Sequence, residues 1–336
     1  MLTTSWVDVT ARVRGLASRL LGRQMLERLA TSPDLATFAR ELDATAYHAA
    51  EGLDGRTPIE LERQTRRCAG ERLSIIAEWS GDRADALAPL FEDQDRRNLR
   101  ALVRAIAADV AGEKRTAGLL PTPSLRNAEL EALARQRRVR DVGALLASWG
   151  NPYGAAILSE AVGTRIDLFA LQLAIDRTYA NRMLDKAEQA GEPVLGFVRA
   201  QLDAENATTA LAASSGALEN RAAAQFIEGG MLITRDEFDH LAALPAAEAR
   251  ARLARLVAGT VLAPVAPEQT AGPDETMLTA QLRELRRTVR LDPLSLGVVL
   301  EYVLRLRAEL EDLGRIIWGI TLRVPRRRIS AGLLTP

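Results

Sequence analysis

One stretch of this sequence, Asp95-Arg96-Arg97-Asn98-Leu99-Arg100-Ala101-Leu102-Val103-Arg104, decides the fold because it occurs three times. A second copy reads Asp203-Ala204-Glu205-Asn206-Ala207-Thr208-Thr209-Ala210-Leu211, and a third, weaker copy reads Glu309-Leu310-Glu311-Asp312-Leu313-Gly314-Arg315-Ile316-Ile317. In each copy an acidic residue is followed three positions later by Asn or Asp, and then by an apolar residue. The Asn or Asp recurs in steps of 108 and 106 residues. This regularity predicts a unit of about one third of the chain, present three times.

Two matches away from these motifs support the repeat. A shift of 107 residues places Asp34-Leu35, Phe38 and Leu42 on Asp141-Val142, Leu145 and Trp149. The same shift places Thr57, Ile59, Glu60 and Leu61 on Thr164, Ile166, Asp167 and Leu168. The third unit follows more loosely, with Glu248 at the position onto which Asp141 projects. We therefore predict three similar helical units, at residues 1–120, 121–230 and 231–336.

The composition predicts an all-α fold with a large core. Of the 336 residues, 47% are hydrophobic but only 4% are aromatic, and Ala, Leu and Arg dominate. These residue types favour helices, whereas strands are enriched in aromatic and β-branched residues. The apolar positions of the first motif follow a helical spacing, and no stretch alternates as a strand would. They are Leu99, Leu102, Val103, Ile106 and Val110.

Several boundaries can be predicted locally. Leucines at a helical spacing predict one amphipathic helix from Val13 onward, and Ser32 as N-cap with Pro33 after it predicts the start of the next. Long helices are expected at residues 59–79 and 166–190, and residues 263–274, which contain three prolines, are expected to be flexible.

Gly229-Gly230 predicts a positive-φ turn or a close backbone approach. The leucines of the first helix are Leu16, Leu20, Leu26 and Leu29, and the apolar face of the last helix comprises Val299, Val303, Leu306, Leu310, Leu313 and Ile317.

Charge and cysteine content exclude several classes of protein. Lys+Arg and Asp+Glu both number 44, so composition provides no general attraction to nucleic acid or anionic membranes. No aromatic residues interleave with the basic clusters, which argues against nucleic-acid binding. The single Cys68 fits a reducing cytosol. Since we find neither a secretory signal nor an apolar run long enough to span a bilayer, we expect a soluble protein that acts in the cytoplasm.

The sequence carries little enzymatic chemistry, and we predict neither a catalytic residue, a cofactor nor a small-molecule substrate. Its two histidines, His48 and His240, are far apart and lack metal-ligand spacing. The acidic run Glu92-Asp93-Gln94-Asp95 could hold Mg²⁺ for a diphosphate substrate, as in helical isoprenoid enzymes. We favour a structural interpretation in which these acids lie in the first turn of a helix, where carboxylates oppose the helix dipole.

The repeated polar residues leave two interpretations open. Asp95, Asn98 and Arg104 form either a polar lock that holds each motif helix against its neighbours or a surface that faces a partner; the lock is favoured because buried Asn and Asp usually satisfy backbone groups. Two basic clusters could contact an acidic partner or lipid headgroups, or be solvated helix faces. The first contains Arg135, Arg137, Arg138 and Arg140, and the second Arg323, Arg326, Arg327 and Arg328.

Together these blocks resemble the central-stalk C subunit of the V/A-type rotary ATPases, whose homologue in the eukaryotic vacuolar enzymes is the d subunit. The similar blocks follow the order of the family over nearly the whole chain. The second motif departs at Ala207, where the family tends to have Leu, and the third has Asp312 in place of Asn. The matching blocks are Ala11-Arg12-Val13-Arg14-Gly15, Asp95 to Arg104, Leu202-Asp203-Ala204-Glu205-Asn206, Phe226-Ile227-Glu228-Gly229-Gly230 and Asp292-Pro293-Leu294 with the residues 297–302.

The resemblance implies a fold and a mechanical function. It implies a pseudo-threefold funnel of helical subdomains on the central rotor, whose open end receives the axle subunits and whose narrow end sits on the membrane proteolipid ring. Such a protein would be a non-catalytic structural subunit that passes torque between ATP hydrolysis or synthesis and proton flow, and would be peripheral on the inner face of the cell membrane. The alternatives are a general helical-repeat adaptor and, less favoured, the metal-dependent diphosphate enzyme.

Overall fold

The computed structural model describes residues 5–49, 52–53, 55–163, 166–218, 225–266 and 273–335, with the side chains of 273 and 274 excepted. Within these ranges the chain forms helices and loops and no β-strand, so the predicted all-α class is confirmed. None of the helices in the described ranges is long and apolar enough to cross a bilayer.

Within the described ranges, a pair of short helices precedes a long helix and the helix that carries the motif three times. Four further short helices lie between, beside or, in the second case, within these groups. The helices are α1 (Val7–Ala17), α2 (Arg23–Ala30), α3 (Leu35–Asp43), α4 (Pro58–Ser80), α5 (Ala88–Ala107), α6 (Gly112–Arg115), α7 (Asn127–Ala134), α8 (Val139–Ser148), α9 (Tyr153–Glu160), α10 (Leu168–Ala190), α11 (Glu192–Ser214), α12 (Arg235–Ala243), α13 (Ala246–Leu256), α14 (Pro273–Leu291), α15 (Gly297–Thr321) and α16 (Arg326–Ala331), with 3₁₀ helices at Gly81–Leu87 and Ala263–Val265.

The repeat is less uniform than a single shift of 107 residues. Helix α3 begins at Leu35 and α8 at Val139, 104 residues later, whereas α4 begins at Pro58 and α10 at Leu168, 110 residues later. The predicted shift is therefore wrong by three residues in each segment, in opposite directions. Because three residues are close to one helical turn, the displaced match still put apolar residues on nearly the same face.

The single helix predicted at the N-terminus is also wrong, because the chain breaks between α1 and α2. Leu21 is buried in this break, and its N–H donates to the carboxylate of Glu309. Gly22 is extended, with φ −76° and ψ 164°, and serves as the N-cap of α2. A contact with a distant part of the chain thus interrupts a continuous pattern of leucines.

The N-cap of the next helix lies two residues later than predicted. Asp34, rather than Ser32, caps α3, and its carboxylate accepts a hydrogen bond from Thr37 N at 2.7 Å. Ser32 N donates to Leu29 O and so belongs to the turn that follows α2. Of the segment predicted to be flexible, residues 263–265 form a 3₁₀ helix and residues 267–272 lie outside the described ranges.

Helix α15 lies at the centre of the larger of two hydrophobic cores. Five of its six predicted apolar positions are buried and Val303 is half-buried, which confirms the five-turn apolar face. Helices α1, α4 and α14 pack against α15, and α10 packs against α5. The smaller core joins α12 and α13 to α11 and includes Met277 of α14. The contacts of α15 with α1 and α4 bring the two ends of the chain together.

Helices α8 and α9 approach each other closely through glycine. A Cβ atom on Gly154 would lie 2.4 Å from the backbone N of Ala147, a distance that real contacts do not reach. Gly196, on the exposed face of α11, provides a matched control because the nearest atom to its Cβ position is a Glu192 carboxylate oxygen at 4.0 Å.

We expect Gly154→Ala to lower the free energy of unfolding by about 1–3 kcal/mol, because the backbones must separate to admit the methyl group. Gly196→Ala should raise it by about 0.5–1 kcal/mol, because alanine loses less backbone entropy in a helix. Urea unfolding of both variants measures these changes. A Gly154→Ala variant as stable as the wild type would contradict the close approach.

Candidate partner-binding cavity

The Asn residues of the first two motifs bind the peptide groups of distant extended segments. Asn98 Nδ2 donates to Leu120 O at 2.7 Å, and its Oδ1 accepts from Leu120 N at 3.0 Å. Asn206 does the same with Ile227, at 2.8 and 2.9 Å. Both Asn side chains are buried, so each amide satisfies a donor and an acceptor that water does not reach.

The third motif makes a related contact with the C-terminal segment. Asp312, which is buried, accepts hydrogen bonds from Leu334 N at 2.6 Å and from Thr335 N at 2.8 Å. A carboxylate has no donor when ionised, so this copy binds two successive N–H groups instead of the N–H and C=O of one residue. The third motif thus has Asp instead of Asn because its side chain faces two backbone N–H groups rather than an N–H and a C=O.

The acidic residue that opens each motif binds the same regions. Asp203 accepts from the N–H groups of Met231, Leu232 and Ile233 at 2.9–3.0 Å. Asp95 accepts from the hydroxyls of Thr122, at 2.6 Å, and Ser124. Glu309 accepts from the Tyr47 hydroxyl at 2.5 Å and from Leu21 N, both in the N-terminal region. The third motif therefore holds the N-terminal helices as well as the C-terminal segment.

Two of these carboxyls have raised pKa values. Burial raises the pKa of Asp95 to about 7, although the hydroxyls of Ser124 and Thr122 partly stabilise its ionised form. Burial likewise raises the pKa of Glu309 to about 7, against the hydrogen bond from Tyr47 and the charge of Arg72. Both groups therefore change charge near neutral pH.

Of the two alternatives predicted for Gly229-Gly230, the structure shows the positive-φ turn, while the close contacts of both glycines are with side chains rather than with backbone. Gly229 has φ +106°, a left-handed conformation that side chains rarely adopt, and a Cβ on it would also lie 2.2 Å from Leu184 Cδ1. A Cβ on Gly230 would lie 2.2 Å from Asp203 Oδ1. The turn therefore requires glycine where it presents its amides to the second motif.

The acidic run of α5 was predicted to lie in the first turn of its helix, and this prediction is wrong because the helix already begins at Ala88. Its carboxylates are held by other side chains: Glu92 pairs with Arg182 at 2.9 Å, and Asp93 pairs with Arg96 at 2.7 Å. Asp95 accepts the hydroxyls described above. In the described ranges no three Asp, Glu, His or Cys side chains converge as metal ligands would.

A fully buried guanidinium, that of Arg96, connects three helices. It pairs with Asp93 of α5 at 2.7 Å, Asp176 of α10 at 2.8 Å and Glu205 of α11 at 3.0 Å. It also lies over the ring of Tyr179, 5.2 Å from the centroid. Burial and the neighbouring Glu205 raise the pKa of Asp176 to about 6, against the charges of the arginines.

More arginines extend this cluster. Arg97 pairs with Asp93 at 3.1 Å and donates to Gln201 at 2.8 Å, while Arg100 pairs with Asp176 and Glu205. Arg307 of α15 reaches Asp93 at 3.3 Å. Helices from all three predicted units are therefore connected through charged side chains.

These arginines face a cavity of about 490 Å³ among the three motif helices, α4 and α14. Among the described residues, the lining carries five guanidiniums, from Arg66, Arg97, Arg100, Arg104 and Arg307, but only two carboxylates, Glu275 and Glu311. The acids that balance the arginine cluster, Asp93, Asp176 and Glu205, do not line the cavity. The remaining lining residues are Gln94, Asn98, Ala101, Gly118, Gln201, Met277, Leu278 and Gln281. This surface suits an occupant that carries negative charge or exposed carbonyl groups.

The structure brings only some of the predicted residues to this cavity. Asn98 and Arg104 line it, and Arg104 also donates to Gln172 at 3.0 Å. Arg12 lies over Trp79, with 5.7 Å to the ring centroid, and Arg14 donates to Pro293 O at 2.7 Å. The basic clusters lie elsewhere and are exposed, at Arg137, Arg138 and Arg140 near α8 and at Arg326, Arg327 and Arg328 in α16.

The arginine cluster and the role of Glu309 were not predicted from the sequence. The acidic and basic residues at 93, 96, 97 and 100 are spaced as ion pairs on one helix, which was the available signal. Their partners Asp176 and Glu205 are 80 and 109 residues from Arg96. Neither spacing nor composition connects residues so far apart.

Asn98→Asp tests the bond to the Leu120 peptide. An ionised carboxylate can accept from Leu120 N but cannot donate to Leu120 O, and it puts an unpaired charge in the core. We expect a loss of about 2–5 kcal/mol in the free energy of unfolding, measured with urea. Asn206→Asp should behave alike, whereas no loss in either variant would contradict the importance of these bonds.

Asp95→Asn and Glu309→Gln test the raised pKa values. The ordinary values are 3.8 and 4.5, so between these and pH 7 the folded state binds protons that the unfolded state has released. Each group therefore lowers the free energy of unfolding of the wild type by about 1.4 kcal/mol per pH unit as the pH rises through this window. Above pH 7 it no longer changes the free energy of unfolding.

In each variant we expect the free energy of unfolding to fall less steeply with pH than in the wild type, as measured by urea unfolding from about pH 5 to pH 8. The comparison is the difference between wild type and variant at each pH, which cancels the titration of other groups. Parallel stability curves for wild type and variant would contradict a raised pKa.

Comparison with known proteins identifies the family. The model for the ATP synthase (C/AC39) subunit matches residues 9–332. The chain is also similar to the C subunits of several A-type ATP synthases. It is 25% identical to that of Thermococcus onnurineus over 336 residues, covering 95% of this chain and 87% of the relative, and 25% identical to that of Thermococcus gammatolerans over 315 residues, covering 90% and 82%.

The corresponding protein of Halorubrum lacusprofundi is 26% identical over 244 residues, covering 70% of this chain and 69% of the relative. The family match extends over all three motifs and includes Leu21 and Tyr47, the two residues that Glu309 binds. The resemblance seen in the sequence is confirmed, and the chain belongs to the ATP synthase (C/AC39) subunit family.

Proposed function

We propose that the chain is the non-catalytic rotor subunit that couples the central axle of a V/A-type ATPase to its membrane proteolipid ring. It would transmit torque between ATP hydrolysis or synthesis and ion transport, with protons as the proposed coupling ion. The observation that carries this proposal is the arginine-lined cavity among the three motif helices. The names of the relatives support assembly with other ATP synthase subunits.

The cavity is the proposed seat of the axle tip. Arg97, Arg100 and Arg307 are held by ion pairs, so their guanidiniums need little reordering when a partner binds. An acidic helix, or the carbonyl groups at a helix C-terminus, would complement this lining. The ring would bind at the opposite, narrow end of the proposed funnel.

Torque transmission requires that the helices do not slide past one another. The Arg96 cluster joins α5, α10 and α11 by buried bonds, and Arg307 adds α15. Buried ion pairs depend on geometry, so a displacement of one helix breaks several of them at once. This cross-linking supports a rigid body that passes rotation from the axle to the ring.

The finer arrangement also remains a proposal. We propose that residues 1–120, 121–230 and 231–336 are three copies of one unit and form the pseudo-threefold funnel. The basic clusters at Arg137 to Arg140 and Arg326 to Arg328 are proposed contacts with acidic patches of the axle or ring. The protein would be peripheral on the cytoplasmic face of the cell membrane and would need neither a cofactor nor nucleic acid.

The direct test mixes the purified chain with the axle subunit pair from the same genome. We expect a one-to-one-to-one complex by size exclusion with light scattering, because the cavity complements one axle tip. If the folded chain binds neither the axle pair nor the isolated proteolipid ring, the rotor proposal is overturned and a helical-repeat adaptor becomes the better interpretation.

Arg104→Glu tests whether the axle enters the cavity. Because Arg104 is exposed and lines the cavity, reversal of its charge should weaken axle binding by about ten-fold or more with little change in stability. Arg255→Glu on the exposed face of α13 is the matched control, and it should leave the affinity unchanged. Equal affinities for the two variants, measured by titration calorimetry, would place the axle elsewhere.

A further inference from the structure

A second arginine-rich cleft lies where α1, α14 and α15 meet, apart from the central cavity. Its volume is about 450 Å³. Four guanidiniums line it, against one carboxylate among the lining residues of the described chain, that of Glu301, which leaves an excess of three positive charges. The lining residues are Arg14, Arg286, Val289, Arg290, Pro293, Glu301 and Arg305.

Two of these arginines are held by the protein itself. Arg14 Nη2 donates to Pro293 O at 2.7 Å, and Arg286 lies 3.7 Å from Glu301. For Arg290 and Arg305, the described ranges supply no hydrogen bond and no carboxylate within 4.0 Å, although Arg305 acts at longer range on Glu309. The cleft thus combines positioned guanidiniums with others whose charge is not balanced locally.

Such a cleft is suited to a phosphate-bearing ligand. Four like charges that share one cleft repel one another, and a bound anion relieves this repulsion. The planar guanidinium presents its donors in a fork that matches the oxygens of phosphate. A carboxylate side chain of a partner protein is also anionic, but the recognition of a single carboxylate does not require four arginines.

The rim of the cleft points to a lipid. The loop between α14 and α15 contributes Pro293 to the cleft. Leu291, the last residue of α14, is 88% exposed, and Leu294 in the loop is 49% exposed. Asp292 in this loop faces its own backbone, with Oδ1 3.4 Å from Leu294 N. Exposed leucines beside arginines are the combination that inserts at the boundary between headgroups and acyl chains.

We propose that this cleft binds the phosphate of an anionic phospholipid headgroup while Leu291 and Leu294 enter the adjoining acyl region. The inference goes beyond the rotor assignment and does not depend on the axle occupying the central cavity. It would place the junction of α14 and α15 against the membrane surface.

The test is flotation of the full chain with vesicles of phosphatidylcholine, with and without phosphatidylglycerol. We expect binding only to the anionic vesicles. Arg290→Gln combined with Arg305→Gln should weaken it about thirty-fold, because each arginine at an anionic surface contributes about five-fold. The matched control is Arg67→Gln with Arg255→Gln, which removes the same charge from exposed faces of α4 and α13, outside both basic clusters, and should bind as the wild type does.

Two further measurements separate the possible ligands. Leu291→Ser with Leu294→Ser should weaken vesicle binding without changing the calorimetric binding of inorganic pyrophosphate. Pyrophosphate binding that requires Arg290 and Arg305, without vesicle binding, would overturn the lipid and assign the cleft to a soluble phosphate compound. Equal losses in the double-arginine variant and its control would overturn the specific site.

If neither vesicles nor pyrophosphate bind, but the double-arginine variant assembles poorly with other ATP synthase subunits, an acidic protein surface occupies the cleft and the proposal fails. Thermal unfolding by circular dichroism should show both double-arginine variants to be folded, since the side chains they change are exposed or half-buried.

Discussion

A side-chain amide bound to the buried N–H and C=O of one distant residue is the contact on which the rest of this structure depends. Asn98 and Asn206 each satisfy both polar groups of a residue more than twenty positions further along the chain. Without that amide, the extended segments at Leu120 and Ile227 would bury unsatisfied backbone groups at a cost of about 1–3 kcal/mol each. The bonds therefore decide where the chain leaves one motif helix and enters the next pair of short helices.

The second constraint is the burial of charge. Arg96 is 1% exposed, and its positive charge is tolerable because three carboxylates from three helices surround it. A cluster of this kind adds little net stability compared with an apolar core, since desolvation opposes the attraction between charges. It does demand one relative position of α5, α10 and α11. The proposed rotor function, which requires resistance to shear, would benefit from specificity of that kind.

The third motif closes the chain on itself. Glu309 binds Leu21 and Tyr47, and Arg23 donates to the carbonyl oxygens of Ser330, Leu333 and Thr335. The N-terminal short helices therefore take the place beside α15 that α7 and α8 take beside α5. Each motif helix thus contacts the short helices next in order, and α15 contacts those at the N-terminus.

The sequence by itself determined the helical class, the three motifs, the long helices and the glycine turn, because these depend on residues close together in the chain. The spacing of apolar residues identifies the buried face of a helix, but the same spacing recurs at every turn. The shift that aligns one repeat with the next was therefore wrong by three residues. The break at Leu21, the partners of Arg96 and the cavity lining were decided only by the tertiary structure. They depend on burial and on contacts across 80 residues or more, such as Arg96 with Asp176 and Leu21 with Glu309. A sequence pattern records which side chains are polar, but the fold decides which of them meet.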